Sequence, residues 1–169
     1  MSELRARLDW HLCPDANPEQ FDFVDTSQAD RPILAAAISS EAKFIITSDV
    51  DDFGNTDLRR YGISAVNPGL FLAARVTPDI YTDTLYEIAA RRQREPRTAT
   101  SIHNLEIAVE LDVLFRRFQT IFGPTTSPSP HNPPRTLFKG AVCIQCKQTL
   151  TKAENGLHQD CRWQDWVGK

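Results

Sequence analysis

The sequence predicts an α/β chain in which short buried strands alternate with helices, followed by a small cysteine-bearing module. Three observations carry this. Asp30-Arg31-Pro32-Ile33-Leu34-Ala35-Ala36-Ala37 reads as a helix opened by an acid, and Phe44-Ile45-Ile46-Thr47 behind it as a strand running into Asp49, Asp51 and Asp52. Ile63-Ser64-Ala65-Val66 reads as a second strand, with Asn67-Pro68 starting a further helix directly after it. Near the C-terminus, Cys143, Cys146, His158 and Cys161 form the pattern CxxC-x11-HxxC.

The chain has 169 residues, enough for one domain of ordinary size and a small appendage. A net charge of -3 gives no global attraction for nucleic acid, so any such binding must rest on a local patch. No apolar run has the length of a membrane span, and the N-terminus lacks the apolar core of a signal peptide. A cytoplasmic location, with no membrane partner, is the expectation. The chain has four cysteines, and three cluster at one end, unlike the framework of a secreted disulfide-rich domain.

Taken in order, Leu4, Leu8, Trp10 and Leu12 recur at helical spacing, and residues 13–29 read as a loop with a short strand at Phe21–Val24. Asp30 is placed to cap a helix and Pro32 suits its first turn. The run Lys43–Thr47 shows no alternation, which fits a strand covered on both faces. Residues 54–61 suggest a short helix ended by Gly62. Asn67-Pro68 then opens a helix with Phe71 and Leu72 inward. Thr77-Pro78 opens a longer one, with Ile80, Leu85, Ile88 and Ala89 on its apolar face. Arg91, Arg92 and Arg94 close that helix at the negative end of its dipole, and Pro96 breaks it. Residues 100–122 form one apolar helix or a bent pair. Residues 123–136 are Pro-rich and aperiodic and read as a linker, leaving 1–122 as the main domain and 137–169 as a separate module.

Two groups of residues could carry chemistry. Asp30 at a helix start and Asp49 and Asp52 at a strand end could face one cavity. Converging carboxylates are stable as anions mainly around a hard cation such as magnesium or manganese, which can activate water against a phosphodiester. In the plainer reading, Asp30 is only a cap and Asp49–Asp52 only a solvated turn.

Residues 21 to about 120 resemble the C-terminal half of PIN-domain proteins, the metal-dependent ribonucleases that include many toxins of toxin–antitoxin pairs. The resemblance rests on Asp30 with Ile33–Ala37, on Ile45-Ile46-Thr47-Ser48-Asp49, on Asp52-Phe53, on Tyr61-Gly62-Ile63, and on Asn67-Pro68 with Phe71-Leu72. It implies a partial three-layer domain, a short parallel sheet flanked by helices, acting on single-stranded RNA with Asp30, Asp49 and Asp52 as catalytic magnesium ligands. It also implies that the family's first strand with its Asp, and a further acid of the first half, are not matched upstream of Asp30. A second polypeptide would supply that half, or a catalytically inactive remnant would act as a nucleic-acid- or protein-binding zinc protein. A cognate antitoxin is the other partner implied.

In the C-terminal module, two pairs of ligands on tight turns suit tetrahedral zinc at Cys143, Cys146, His158 and Cys161, with Gly156 relaxing the backbone before the second pair. The alternatives are a redox CxxC and unliganded cysteines. The module also resembles short zinc-ribbon modules of the CxxC-x-x-x-Leu type, with Leu150 at the matching place and His158 where a cysteine is usual. Trp163 and Trp166 beside basic residues could stack on single-stranded nucleic acid or simply cover a small core. Arg91, Arg92 and Arg94 are the best candidates for phosphate contacts, against a solvated helix end. His103, in an apolar helical context, reads as a satisfied or exposed histidine rather than a catalytic one.

Overall fold

A computed structural model describes residues 15–105, 111–122, 136–151, 156–158 and 161. The helix expected around Leu4–Leu12, and the linker apart from Thr136, lie outside these residues. The described residues form helices α1 (Arg31–Ser39), α2 (Asn55–Tyr61), α3 (Pro68–Arg75), α4 (Pro78–Arg91), α5 (Ala99–Leu105) and α6 (Asp112–Phe118), with strands β1 (Phe44–Ile46), β2 (Ser64–Val66) and β3 (Phe138–Gly140). The protein is therefore α/β, as expected. The sheet, in the order β1-β2-β3, is mixed rather than parallel. β1 and β2 run parallel, Ile45 opposite Ala65, and β3 is antiparallel to β2, Lys139 opposite Ala65. The third strand thus comes from the segment read as a separate module.

Local chemistry explains most elements. Pro32 stands in the first turn of α1, and Leu34, Ala35 and Ala37 bury the inward face. Asp30 occupies the N-cap position but makes no capping bond; its carboxylate accepts instead from Ser27 Oγ at 2.5 Å. α2 ends at Gly62 in the left-handed conformation (φ 65°), which its missing Cβ permits. Asn67 Oδ1 accepts from Gly69 and Leu70 N–H to start α3, and Thr77 Oγ1 accepts from Ile80 N–H to start α4. The Glu95–Pro96 peptide beyond α4 is cis.

Three packed clusters make the core. One lies under α1, β1 and α2, around Leu34, Phe53 and Leu58. A second gathers α3 to α6 around Ala73, Tyr81, Leu85 and Phe118. The third joins Val66 of β2 to Cys143, Ile144 and Leu150 of the C-terminal segment, with Leu70, Phe71 and Ala74 of α3 against it. Leu34 and Leu58 are fully buried, each worth roughly 1.5–3 kcal/mol. Helix α3 is shared between the second and third clusters, which rotates Leu72 outward (37% exposed) instead of inward. On α4 the buried stripe is Tyr81 and Leu85, leaving Ile80 and Ile88 exposed. Among the described residues β1 lies at the edge of the sheet; Ile46 at its end is 52% exposed, so the expectation of cover on both faces fails there.

The expected strand at Phe21–Val24 is an irregular loop, because its backbone donors go elsewhere. Asp57, fully buried on α2, accepts from the N–H groups of Val24 (2.8 Å), Asp25 (3.1 Å) and Thr26 (2.8 Å). Asp25 returns the bond, accepting from Thr56 and Asp57 N–H and so capping α2 from a distance in sequence. Burial is the largest influence on Asp57 and opposes its charge. The N–H groups of Val24, Thr26 and Asp25 and the Thr26 hydroxyl outweigh it and hold the carboxyl below its ordinary range. Gly54 sits under this clasp, where a Cβ would lie 1.9 Å from Asp25 Oδ1.

Candidate metal centre

The site grows out of β3. After Gly140, Val142 bridges to Thr149, while Cys143 N–H donates to Gln148 O (2.8 Å) and Lys147 N–H to Cys143 O (3.0 Å). These bonds fold Cys143–Cys146 into a tight turn, closed by Lys147 at φ 61°. A second turn follows, with Cys161 N–H donating to His158 O at 2.9 Å. The two are stitched together by Ile144 N–H to Gly156 O (2.8 Å). Gly156 has φ 85° and lies against the Phe138 ring, which a Cβ would approach to 3.0 Å.

The two turns bring one ligand atom each from Cys143, Cys146, His158 and Cys161 to within 4.8 Å of one another. Cys146 Sγ and His158 Nδ1 are 3.2 Å apart, and His158 Nε2 lies 3.0 Å from Thr149 O. Ligands at zinc–sulfur and zinc–nitrogen distances on a tetrahedron stand about 3.5–3.8 Å from each other, so around such an ion the widest separation in the cluster would close by about 1 Å and the Cys146–His158 pair would open slightly. None of the three described cysteines is in a disulfide. Burial works hardest against ionised Cys143, but the N–H groups of Cys146, His158 and Gln145 and the Cys146 side chain overcome it and lower the thiol to about 7. Cys161 goes the other way, pushed up to about 11 by burial first and then by the neighbouring Cys146 and Cys143 sulfurs. Crowded sulfurs that resist joint ionisation are what a bound cation relieves. Four protein ligands also leave no open position, which suits a structural rather than a catalytic ion.

The site is anchored to the body of the fold. Arg75 of α3 donates to Ile144 O (3.0 Å), and Arg59 of α2 to Leu150 O and Thr151 O (3.4 Å each). Ser64 Oγ on β2 both accepts from Val142 N–H (2.8 Å) and donates to Val142 O (3.1 Å). Cys143 and Ile144 are fully buried in the cluster they share with β2 and α3.

The aspartates behave differently. Among the described residues, the cysteine–histidine cluster is the one group of three or more His, Cys, Asp or Glu side chains close enough to share an ion, and Asp30, Asp49 and Asp52 do not form a second. Their segments are nonetheless neighbours, since Ser27 N–H donates to Asp52 O (3.0 Å) while Ser27 Oγ holds the Asp30 carboxylate. Asp49 and Asp52 are exposed. The cation at this turn is Lys139 of β3. Its Nζ donates to Asp51 O (2.9 Å) and Phe53 O (3.3 Å) and lies 3.4 Å from Asp51 Oδ1. The Thr136 side chain is the largest influence on the Asp51 carboxyl and lowers it; burial comes next and opposes it, and Lys139 adds to the lowering.

Arg91 and Arg92 are exposed but engaged, Arg91 with Glu87 (3.1 Å) and Arg92 with the carbonyls of Arg94 and Glu95; Arg94 is also exposed. Trp163 and Trp166 lie outside the described residues. His103 is fully buried, its Nδ1 2.5 Å from Tyr81 Oη and its ring stacked on Phe115, a packed rather than an exposed histidine.

Sequence reading missed Lys139 and the Asp25–Asp57 clasp. Neither has a local signature, because each joins segments far apart in the chain. Among the described residues no helix is long and apolar enough to cross a membrane. Compared with known proteins, the chain matches no family model, no curated protein and no solved structure. Fold and site define its class: an α/β protein carrying a Cys3His cluster able to hold a metal ion.

Proposed function

We propose that this chain is a zinc-binding protein whose Cys3His centre is structural, locking the third strand of the sheet to the α/β body, and that the assembled surface binds a nucleic acid or protein partner. One observation carries the reading: four ligand atoms from two short turns converge within 4.8 Å, on a strand that the body of the fold holds. When bound, the ion supplies charge neutralisation for the thiolates and a crosslink between the two turns. The chain's own residues do the rest. Cys143 and Ile144 fill the core, Arg75 and Arg59 hold the carbonyls around the site, and Ser64 fixes Val142. The test is metal stoichiometry: the purified chain should carry one zinc, Cys143→Ser should lose it, and wild-type protein without bound zinc would refute the proposal. For the binding role, a gel-shift titration with single-stranded RNA should survive Asp30→Asn and fail on chelation.

The second reading is the magnesium-dependent ribonuclease of PIN type, cutting single-stranded RNA with Asp30, Asp49 and Asp52 as ligands. It is favoured by the position of the acid-bearing segments, tied through Ser27 beside the end of a strand in a parallel pair, the edge at which α/β proteins bind ligands. Cleavage of RNA with magnesium or manganese, abolished by Asp30→Asn, would establish it. Absence of cleavage, with or without a cognate antitoxin or second polypeptide, would remove it.

A further inference from the structure

The histidine of the cluster has two ring nitrogens, and the geometry separates their tasks. His158 Nδ1 faces Cys146 Sγ at 3.2 Å, inside the cluster. Nε2 faces the Thr149 carbonyl oxygen at 3.0 Å. A carbonyl oxygen only accepts, so Nε2 must carry the proton that closes this contact. The neutral ring then has its lone pair on Nδ1, the nitrogen that faces Cys146 Sγ within the cluster. Resting on the zinc reading above, we propose that His158 binds the metal through Nδ1 and that the Thr149 carbonyl is the positioning group that fixes this tautomer.

Reach supports the assignment. Nδ1 stands one bond further from the backbone than a cysteine sulfur, and Nε2 two. The tight His158–Cys161 turn places both side chains from one short stretch of backbone. A ligand of nearly cysteine reach is what such a turn can accommodate, and this is how a histidine serves at a position where a cysteine is usual. Thr149 is not a bystander of the fold. It bridges to Val142, and Leu150 N–H beside it donates to Ala141 O at 2.7 Å. The carbonyl orienting His158 is therefore held by the same short ladder that presents Cys143, so both ligand pairs take their geometry from one piece of backbone.

The experiment is nuclear magnetic resonance of the full chain loaded with cadmium-113 in place of zinc. Bound through Nδ1, the metal is three bonds from the ring proton Hε1 and four from Hδ2, so coupling to Hε1 alone is expected, with the Nε2 proton visible in slow exchange. Bound through Nε2, the metal is three bonds from both, and coupling to both protons would overturn the inference. So would cysteine couplings with none to His158. A chain that gives no bound cadmium resonance overturns the zinc reading itself, a different result from the other two. His158→Cys should keep the metal, move the cadmium resonance toward the all-thiolate position and abolish the ring couplings. An unchanged resonance in that variant would also count against the assignment.

Discussion

The turn after β1 and the turn after β3 are both rich in potential ligands, yet only the second gathers them. Cys143 and Cys146 share one tight turn and His158 and Cys161 another, so most of the convergence is decided within a few residues of backbone. Asp30 and the Asp49–Asp52 stretch belong to different elements, and their spacing depends on how α1 and β1 pack. There the charge is met by a lysine ammonium from β3 and by a serine hydroxyl. Ligands paired in sequence specify a site, whereas ligands paired only by tertiary structure specify no more than a neighbourhood.

The largest effect expected from breaking this contrast is at the cysteines. Chelation, or Cys143→Ser, should cost on the order of 5 kcal/mol in denaturant unfolding, because metal binding and folding are linked. A matching loss on Asp30→Asn with added magnesium would erase the difference between the two turns. Next comes Asp57→Asn, which puts an amide donor among three backbone donors and should cost about 2–4 kcal/mol. Because the folded state holds the Asp57 carboxyl below its unfolded value, its contribution is present above the ordinary aspartate range and is lost as pH falls through the folded value. The acid limb of a stability–pH profile should therefore flatten in the variant.

Lys139→Met should cost about 1 kcal/mol by freeing the Asp51 and Phe53 carbonyls, and should leave zinc content unchanged. A loss of zinc would mean that the two turns are coupled through β3. Smallest is Lys147→Gly, which relieves a left-handed residue at the cysteine turn and should stabilise by less than ~1 kcal/mol in thermal melts of the zinc form.

Much of this was legible in the sequence. Pro32, Gly62, Asn67-Pro68 and Thr77-Pro78 marked helix ends by local chemistry, and the CxxC and HxxC pairs marked the cluster that could hold a metal ion. The exposure of Ile46, Leu72, Ile80 and Ile88 was not legible, since it depends on which strand is at the edge and which helices share a cluster. Nor was the place of Phe138-Lys139-Gly140. A three-residue strand with a lysine at its centre carries no alternation, and its partner Ser64–Val66 lies far upstream. The Asp25–Asp57 clasp was hidden for the same reason. Each aspartate looks like an ordinary loop or helix-start residue until the other is brought to it.

The position of β3 has a practical consequence for anyone shortening this protein. Stopping the chain at the Pro-rich stretch would strip a partner from β2 and bare the backbone groups that now meet Phe138–Gly140. Such a fragment should self-associate through the uncovered strand rather than behave as a tidy, smaller protein.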